Sequence, residues 1–280
     1  MITAWPQGNA SFTVEDVKAR IDGKPVAVRA VRGPSDPLML LLVTDFATDL
    51  SLADSARQAL VAAMERIPAN VYVGLMRAQD GPKVLLDPTP DRKALTAAIQ
   101  AVPVSGSSAL LGTVETVAQI ADAILSKSQV RVAVLYVTDS SVQSYREDYT
   151  NPVINYSDSH DMSRRFPEGL IKEKISKIAT ALSARQAPLF VVHLDYRRDR
   201  LNEAYQAGLM QLSEATGGAS VFCRSRGEIP EAIPKILETI VSHHGVVIDL
   251  PDRPGRLVQI DIETPSGAVS HRARFNLERR

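Results

Sequence analysis

The segment Pro37-Leu38-Met39-Leu40-Leu41-Leu42-Val43-Thr44-Asp45 is an unbroken apolar run that stops at Asp45, with a second aspartate at Asp49. A run this short and this apolar, opened by proline and closed by polar residues, reads as a strand buried on both faces, as in a parallel sheet covered by helices. Two later runs end the same way. Arg131 to Thr138 leads into Asp139-Ser140-Ser141, and Pro188 to Leu194 leads into Asp195. In open α/β sheets the carboxyl ends of the strands are where ligands and ions bind, because the loops there meet helix amino termini.

A chain of 280 residues, 45% hydrophobic and 23% charged, can bury one large core with an appendage, or two modest domains. Thirty-two basic side chains against thirty-two acidic ones leave no global field to draw it to nucleic acid or an acidic membrane. The single cysteine, Cys223, has no internal disulfide partner and is expected as a small buried residue beside Phe222. No apolar stretch approaches the roughly 20 residues a membrane helix needs. Met1 to Phe12 has neither a basic nor an apolar leader region, so the chain is expected in the cytosol unless it is a fragment of an exported protein.

Along the chain, Asp22-Gly23 between Val17–Ile21 and Val26–Val31 signals a β-hairpin, because the turn needs positive φ. After Asp49 the period changes. Leu52, Ala56, Ala59, Leu60, Ala63, Met64 and Ile67 share one helical face, with Ser51 as the expected N-cap. Strands follow at Val71–Arg77 and Val84–Leu86, then a helix capped by Asp91 and a longer one from Ala109 to Leu125. Residues 140–167 carry no regular period, which marks a functional or disordered loop. Helices are then expected over Glu168–Ala184, Leu201–Ala215 and Glu228–Val241, the last with a kink at Pro234. Strand-like segments at Val246–Leu250, Leu257–Ile262 and Val269–Leu277 close the chain.

The alternation from Pro37 to about Val241 predicts a Rossmann-like, mostly parallel sheet with helices on both faces. The strands of the two ends most simply pair with each other as a small antiparallel unit. This divides the chain into an amino-terminal β extension (1–36), an α/β domain (37–243) and a carboxyl-terminal β extension (244–280).

Phosphate-binding, dinucleotide-binding and nucleophile-elbow glycine motifs are all missing. His193 reads as a core residue of its strand, and His243-His244 as solvated residues at a helix end. Oxygen chemistry remains. Asp45 and Asp49 flank one loop, Ser107 and Ser108 lie in a second, and Asp139 opens a third, a set suited to a hard cation such as Mg²⁺ or Ca²⁺. The same residue types also serve as helix caps.

Together these features resemble a von Willebrand factor type A domain over about Pro37 to Val241. In that family the first strand ends in Asp-x-Ser-x-Ser, a second loop supplies a Thr, and a third strand ends in Thr-Asp. The resemblance places these roles on Asp45, on Ser108 within Gly106-Ser107-Ser108-Ala109-Leu110, and on Asp139 within Val137-Thr138-Asp139. It implies a metal-ion-dependent adhesion site whose open position takes a carboxylate from a partner protein. The terminal extensions also resemble those of bacterial exported proteins that carry this domain. Here, however, Ala47 and Asp49 replace the two serines. Ala47 removes a ligand, and a directly bound Asp49 would weaken the ion's pull on an acidic partner, so the site is expected to be degenerate and metal binding weak or absent.

The long loop after Asp139 supplies a second set of candidates, Tyr145, Tyr149, Tyr156, Arg164 and Arg165, residue types that interface hot spots favour. The expected function is a non-catalytic protein interaction or adhesion module. One alternative is an assembly module acting through its β extensions; the other is a metal-assisted hydrolase built on the aspartates.

Overall fold

The computed structural model describes residues 1–6, 12–128, 130–150, 167–251, 254–265 and 267–277. Four short strands come first: β1 (Ile2–Pro6), β2 (Lys18–Ile21), β3 (Lys24–Val26) and β4 (Val28–Arg32). The β2–β3 hairpin turns at Asp22 and Gly23, whose φ values of 50° and 77° are those an Asp-Gly turn supplies. No alternation in the sequence marks β1.

The central chain alternates strand and helix: β5 (Leu38–Asp45), α1 (Leu50–Met64), β6 (Val71–Arg77), β7 (Lys83–Thr89), α2 (Arg92–Gln100), α3 (Leu110–Lys127), β8 (Arg131–Thr138), α4 (Pro167–Leu182), β9 (Leu189–His193), α5 (Arg200–Ala215), β10 (Ser220–Phe222) and α6 (Ile229–Ser242). These strands form one six-stranded sheet in the order β10–β9–β8–β5–β6–β7, parallel except for the antiparallel edge strand β7. Alternate residues of β5 feed opposite cores, as a period of two requires. Leu38, Leu40 and Leu42 join the core beneath α1, α2 and α6, while Leu41 and Val43 join the one beneath α3, α4 and α5. Strands β5 and β8 run in register from Leu38 against Arg131 to Asp45 against Thr138. That register puts Asp45 and Asp139 beside each other at the carboxyl edge.

Several boundaries differ from expectation. Helix α1 is capped by Asp49 rather than Ser51: the Asp49 carboxylate accepts from the Ser51 and Leu52 amides. Strand β7 continues through Pro88, which an edge strand tolerates because one side of its backbone needs no ladder donor. Helix α6 runs one residue beyond the expected Val241, from Ile229 to Ser242, with Pro234 inside it.

The tail supplies β11 (His244–Ile248), β12 (Leu257–Thr264), β13 (Gly267–His271) and β14 (Arg274–Asn276). The single strand expected over Val269–Leu277 is broken because the Arg272 guanidinium turns inward, onto the carbonyls of Ser183, Arg185 and Arg274. The terminal strands make an eight-stranded sheet in the order β3–β2–β12–β13–β1–β11–β4, with β14 added on β12. Its core gathers Ile2, Ala4, Phe12, Ile21, Val246, Ile260 and Phe275. His243 and His244 are not solvated as expected; both are buried, because the chain passes straight from α6 into β11, which pairs with β1 and β4. Among the described residues no helix is long and apolar enough to cross a membrane.

One side chain ties the two sheets together. Arg131 opens β8, is fully buried, and donates to the carbonyls of Val241 (2.9 Å) and His243 (2.7 Å) on one chain crossing and of Pro34 (3.0 Å) and Asp36 (2.8 Å) on the other. Asn70 also serves Pro34 and Asp36, whereas Arg131 is the side chain that serves Val241 and His243. Replacing Arg131 with Met is therefore expected to cost roughly 3 kcal/mol, since charged hydrogen bonds vanish and buried carbonyls lose a donor. Urea denaturation would read the loss. Arg131→Lys should recover little of it, because one ammonium cannot fork to both crossings.

Candidate functional site

Three loops meet at the carboxyl edge of the six-stranded sheet, after β5, before α3 and after β8. Asp139, fully buried, turns its carboxylate back over the loop that follows β5. Oδ1 accepts from the Ala47 amide (2.8 Å), and Oδ2 accepts from the amides of Thr48 (2.9 Å) and Asp49 (2.8 Å) and from the Thr48 hydroxyl (3.0 Å). Successive amides of this kind form an anion-binding concavity, and here the anion belongs to the chain itself. Asp45, also fully buried, crosses the other way, to the start of α3, where it accepts from Ala109 (3.2 Å) and Leu110 (3.1 Å). Ala109, at the N-cap position, has no side-chain acceptor of its own, so Asp45 does that work from the neighbouring strand.

Burial is the first cause of a raised Asp45 pKa, pushed up to about 7; the charge of Asp139 adds to it, while the Ala109 and Leu110 amides and the Thr138 hydroxyl oppose it. Below the carboxylates runs a line of hydroxyls. Thr138 Oγ1 meets Ser140 Oγ (2.7 Å), which meets the Tyr205 hydroxyl (2.7 Å), which meets the Tyr145 hydroxyl (2.7 Å). His193 is a core residue whose Nε2 donates to the Ser140 carbonyl (2.7 Å). Among the described residues its Nδ1 has no partner, and burial lowers its pKa.

The divalent ion that the fold would suggest needs free oxygens between Asp45, Ser108 and Asp139, and the donor set does not fit one. Four donors occupy the Asp139 carboxylate. The Ser108 hydroxyl is paired with Ser144 Oγ at 2.7 Å. Asp49 spends its carboxylate as the cap of α1. Among the described residues, no cluster of three or more His, Cys, Asp or Glu side chains is arranged to hold a metal ion.

The loop candidates divide. Tyr149 is buried, only 6% exposed, and Tyr145 sits against Tyr149 and Tyr205 in edge-on contacts, so both rings face the core beneath α3 to α5 rather than solvent. The apolar environment under the loop takes up these rings as it would any large aromatic. Tyr156, Arg164 and Arg165 lie outside the described residues. What the sequence left unmarked is the outer surface of the edge. Leu50 is 61% exposed at the start of α1, Arg226 reaches Ser51 Oγ (3.0 Å), and the exposed Arg146 pairs with Asp80 (2.6 Å). Tyr205, which the sequence reading passed over, shares the buried face of α5 with Leu209 and Leu212.

Because the folded-state Asp45 titrates near 7 and the unfolded one near 4, the native state holds the extra proton in between. Stability is therefore greatest below about pH 4 as far as this group is concerned, falls as pH rises toward 7, and flattens above, at up to about 1.4 kcal/mol per pH unit. Asp45→Asn should lose that slope. Denaturant melts of both proteins from pH 4 to 8 would show it, and parallel curves would refute it.

No protein-family model matches the chain, and no curated protein matches it. Among solved structures, a von Willebrand factor type A protein from Catenulispora acidiphila matches with a TM-score of 0.51 at 9% identity, covering 98% of this chain and 74% of that one. The PilB minor pilin from Streptococcus sanguinis matches with a TM-score of 0.52 at 12% identity, over 75% of this chain and 62% of its own, so this chain spans less than two thirds of the pilin. The conserved hypothetical protein BatB from Bacteroides thetaiotaomicron gives 0.46 at 12% identity, over 73% and 98%. At such identities the likeness is one of fold. The helix-covered parallel sheet of residues 38–242, with its three loops at one edge, is a von Willebrand factor type A fold.

Proposed function

We propose that this chain is a non-catalytic protein-interaction module that takes a partner at the carboxyl edge of its six-stranded sheet without the help of a divalent ion. The observation that carries this reading is the closure of Asp139 onto the amides of residues 47–49. A carboxylate compensated by three amides and a hydroxyl needs no cation to hold it, and it leaves no open coordination position for a partner's acidic group. The partner is then met by surface rather than by ion. Leu50, Arg146 and Arg226 offer an exposed apolar side chain and two guanidinium groups, residue types that contact hot spots favour. The match to a minor pilin supports an adhesion or assembly role, and with it an exported location.

Two measurements test the reading. Mg²⁺ or Ca²⁺ titrated calorimetrically should bind no tighter than about 10⁻⁴ M, the weak end for oxygen-ligand sites, and nanomolar affinity would overturn metal independence. For the edge itself, the immobilised chain is used to capture partners from an extract of its source cells. Capture should persist in EDTA and be lost in the double variant Leu50→Asp, Arg146→Glu, which alters exposed side chains and should shift stability by no more than about 0.5 kcal/mol each. Capture that EDTA abolishes would restore an ion to the site. Capture unaffected by the double variant would move the interaction to the terminal sheet.

A further inference from the structure

A sheet covered on both faces still has two edges, and an edge strand carries backbone groups that no neighbour answers. The six-stranded sheet ends at β7 on one side and at β10 on the other. The β7 edge is guarded. Pro82 precedes the strand, Pro88 lies within it, its register against β6 shifts twice, and Lys83 and Asp87 stand exposed along it. Each of these features discourages a further strand from joining the ladder. The β10 edge has none of them. Ser220, Val221 and Phe222 are uncharged, include no proline, and pair with β9 without a register shift.

The bonds to β9 settle which groups of β10 face outward. The Val191 amide donates to the Ala219 carbonyl (3.0 Å), and the Cys223 amide donates to the His193 carbonyl (2.8 Å). Residues of a parallel strand address one neighbour alternately, so Val221 turns its N–H and C=O toward β9, while Ser220 and Phe222 turn theirs away. Among the described residues no strand lies on that side, and the backbones of Ser220 and Phe222 bond to nothing else. Helices α5 and α6 cover the faces of β10: Phe222 packs against the core beneath α5 and Val221 against the one beneath α6.

We propose that the β10 edge is a contact between two copies of this chain, paired antiparallel about a two-fold axis at Val221. Two outward residues spaced i and i+2 are self-complementary under such an axis, which is what an isologous contact requires. Ser220 then exchanges N–H and C=O with Phe222 of the partner subunit, and Phe222 does the same with the partner's Ser220, so four bonds answer all four outward groups. The side chains fit the same register. The small Ser220 leaves room beside the ring of the partner's Phe222, and Val221 meets the partner's Val221 as a β-branched cross-strand pair. Arg224, the first charged residue after the strand, falls opposite the partner's Gly218 and not opposite a like charge. Three residues a side make a small contact, so the dimer is a weak one. It is independent of the partner-binding edge, whose residues Leu50, Arg146 and Arg226 take no part in the pairing.

Sedimentation equilibrium of the full chain from about 10 µM to about 1 mM should show a monomer–dimer equilibrium with its midpoint inside that range, as a small contact gives. Ser220→Pro removes an outward N–H that has no partner within the chain, so the fold should stand while association weakens at least about tenfold. Leu50→Asp with Arg146→Glu should leave the equilibrium unchanged. If Ser220→Pro does not fold, amide hydrogen exchange decides in the unaltered protein: the Ser220 and Phe222 amides should exchange at least about threefold more slowly at the high concentration than at the low one. The proposal fails if the chain stays monomeric throughout, if folded Ser220→Pro associates as the unaltered chain does, or if exchange at Ser220 and Phe222 is independent of concentration.

Discussion

A buried carboxylate must find donors, and the Asp139 side chain finds them in the backbone of another loop. Three successive amides at residues 47–49 converge on it, and the Thr48 hydroxyl closes the set. The shape of the loop after β5 is thus dictated from the end of β8, and α1 begins where it does because that loop is fixed. Asp45, next to it in register, has its own donors at the start of α3. Each carboxylate reaches past the helix that follows its own strand, so the two aspartates hold three loops in one place. The residue types are those of helix caps, but the bonds are tertiary.

The same two strands solve the mirror problem at their other end. Arg131 carries a buried positive charge into a cluster of four carbonyls drawn from both crossings between the six-stranded and eight-stranded sheets. Between these ends β5 and β8 are almost wholly apolar and buried, as strands covered on both faces by helices must be. Charge is confined to the rims, where backbone groups outside the ladder are available to satisfy it. The two units of the chain are therefore joined by hydrogen bonds as well as by the packing of Trp5 on Phe190.

How far the sequence discloses this depends on the kind of signal. The apolar runs at 38–43 and 132–137 leave no reading but a covered strand, and their shared ending in aspartate is enough to place three loops at one edge. Strand β1 escapes because Ile2 to Pro6 has no alternation and draws its order from β11 and β13, both of them more than two hundred residues away. Asp49 and Ser51 are equally good cap types, and only the backbone chooses between them. Tyr145 and Tyr149 look like contact residues in a polar loop, yet the loop folds back on α5 and their rings are absorbed by the core. His243 and His244 look solvated for the same reason: polarity in the sequence says nothing about a strand that enters a sheet between two others.

Ala47 links the sequence departure to the geometry. Where the type A pattern has a serine hydroxyl, this chain has a methyl group, and what position 47 contributes to the site is its amide, at 2.8 Å from Asp139. A side chain able to hold an ion has been exchanged for a backbone able to hold an anion. With the negative charge of Asp139 already answered by four donors, a cation at this edge would have to displace amides from a carboxylate they fit. The remaining unanswered electrostatic cost then falls on Asp45, whose carboxyl is held toward its neutral form by burial and by its neighbour. Protonation of Asp45 relieves the pair of side-by-side acids without any ion.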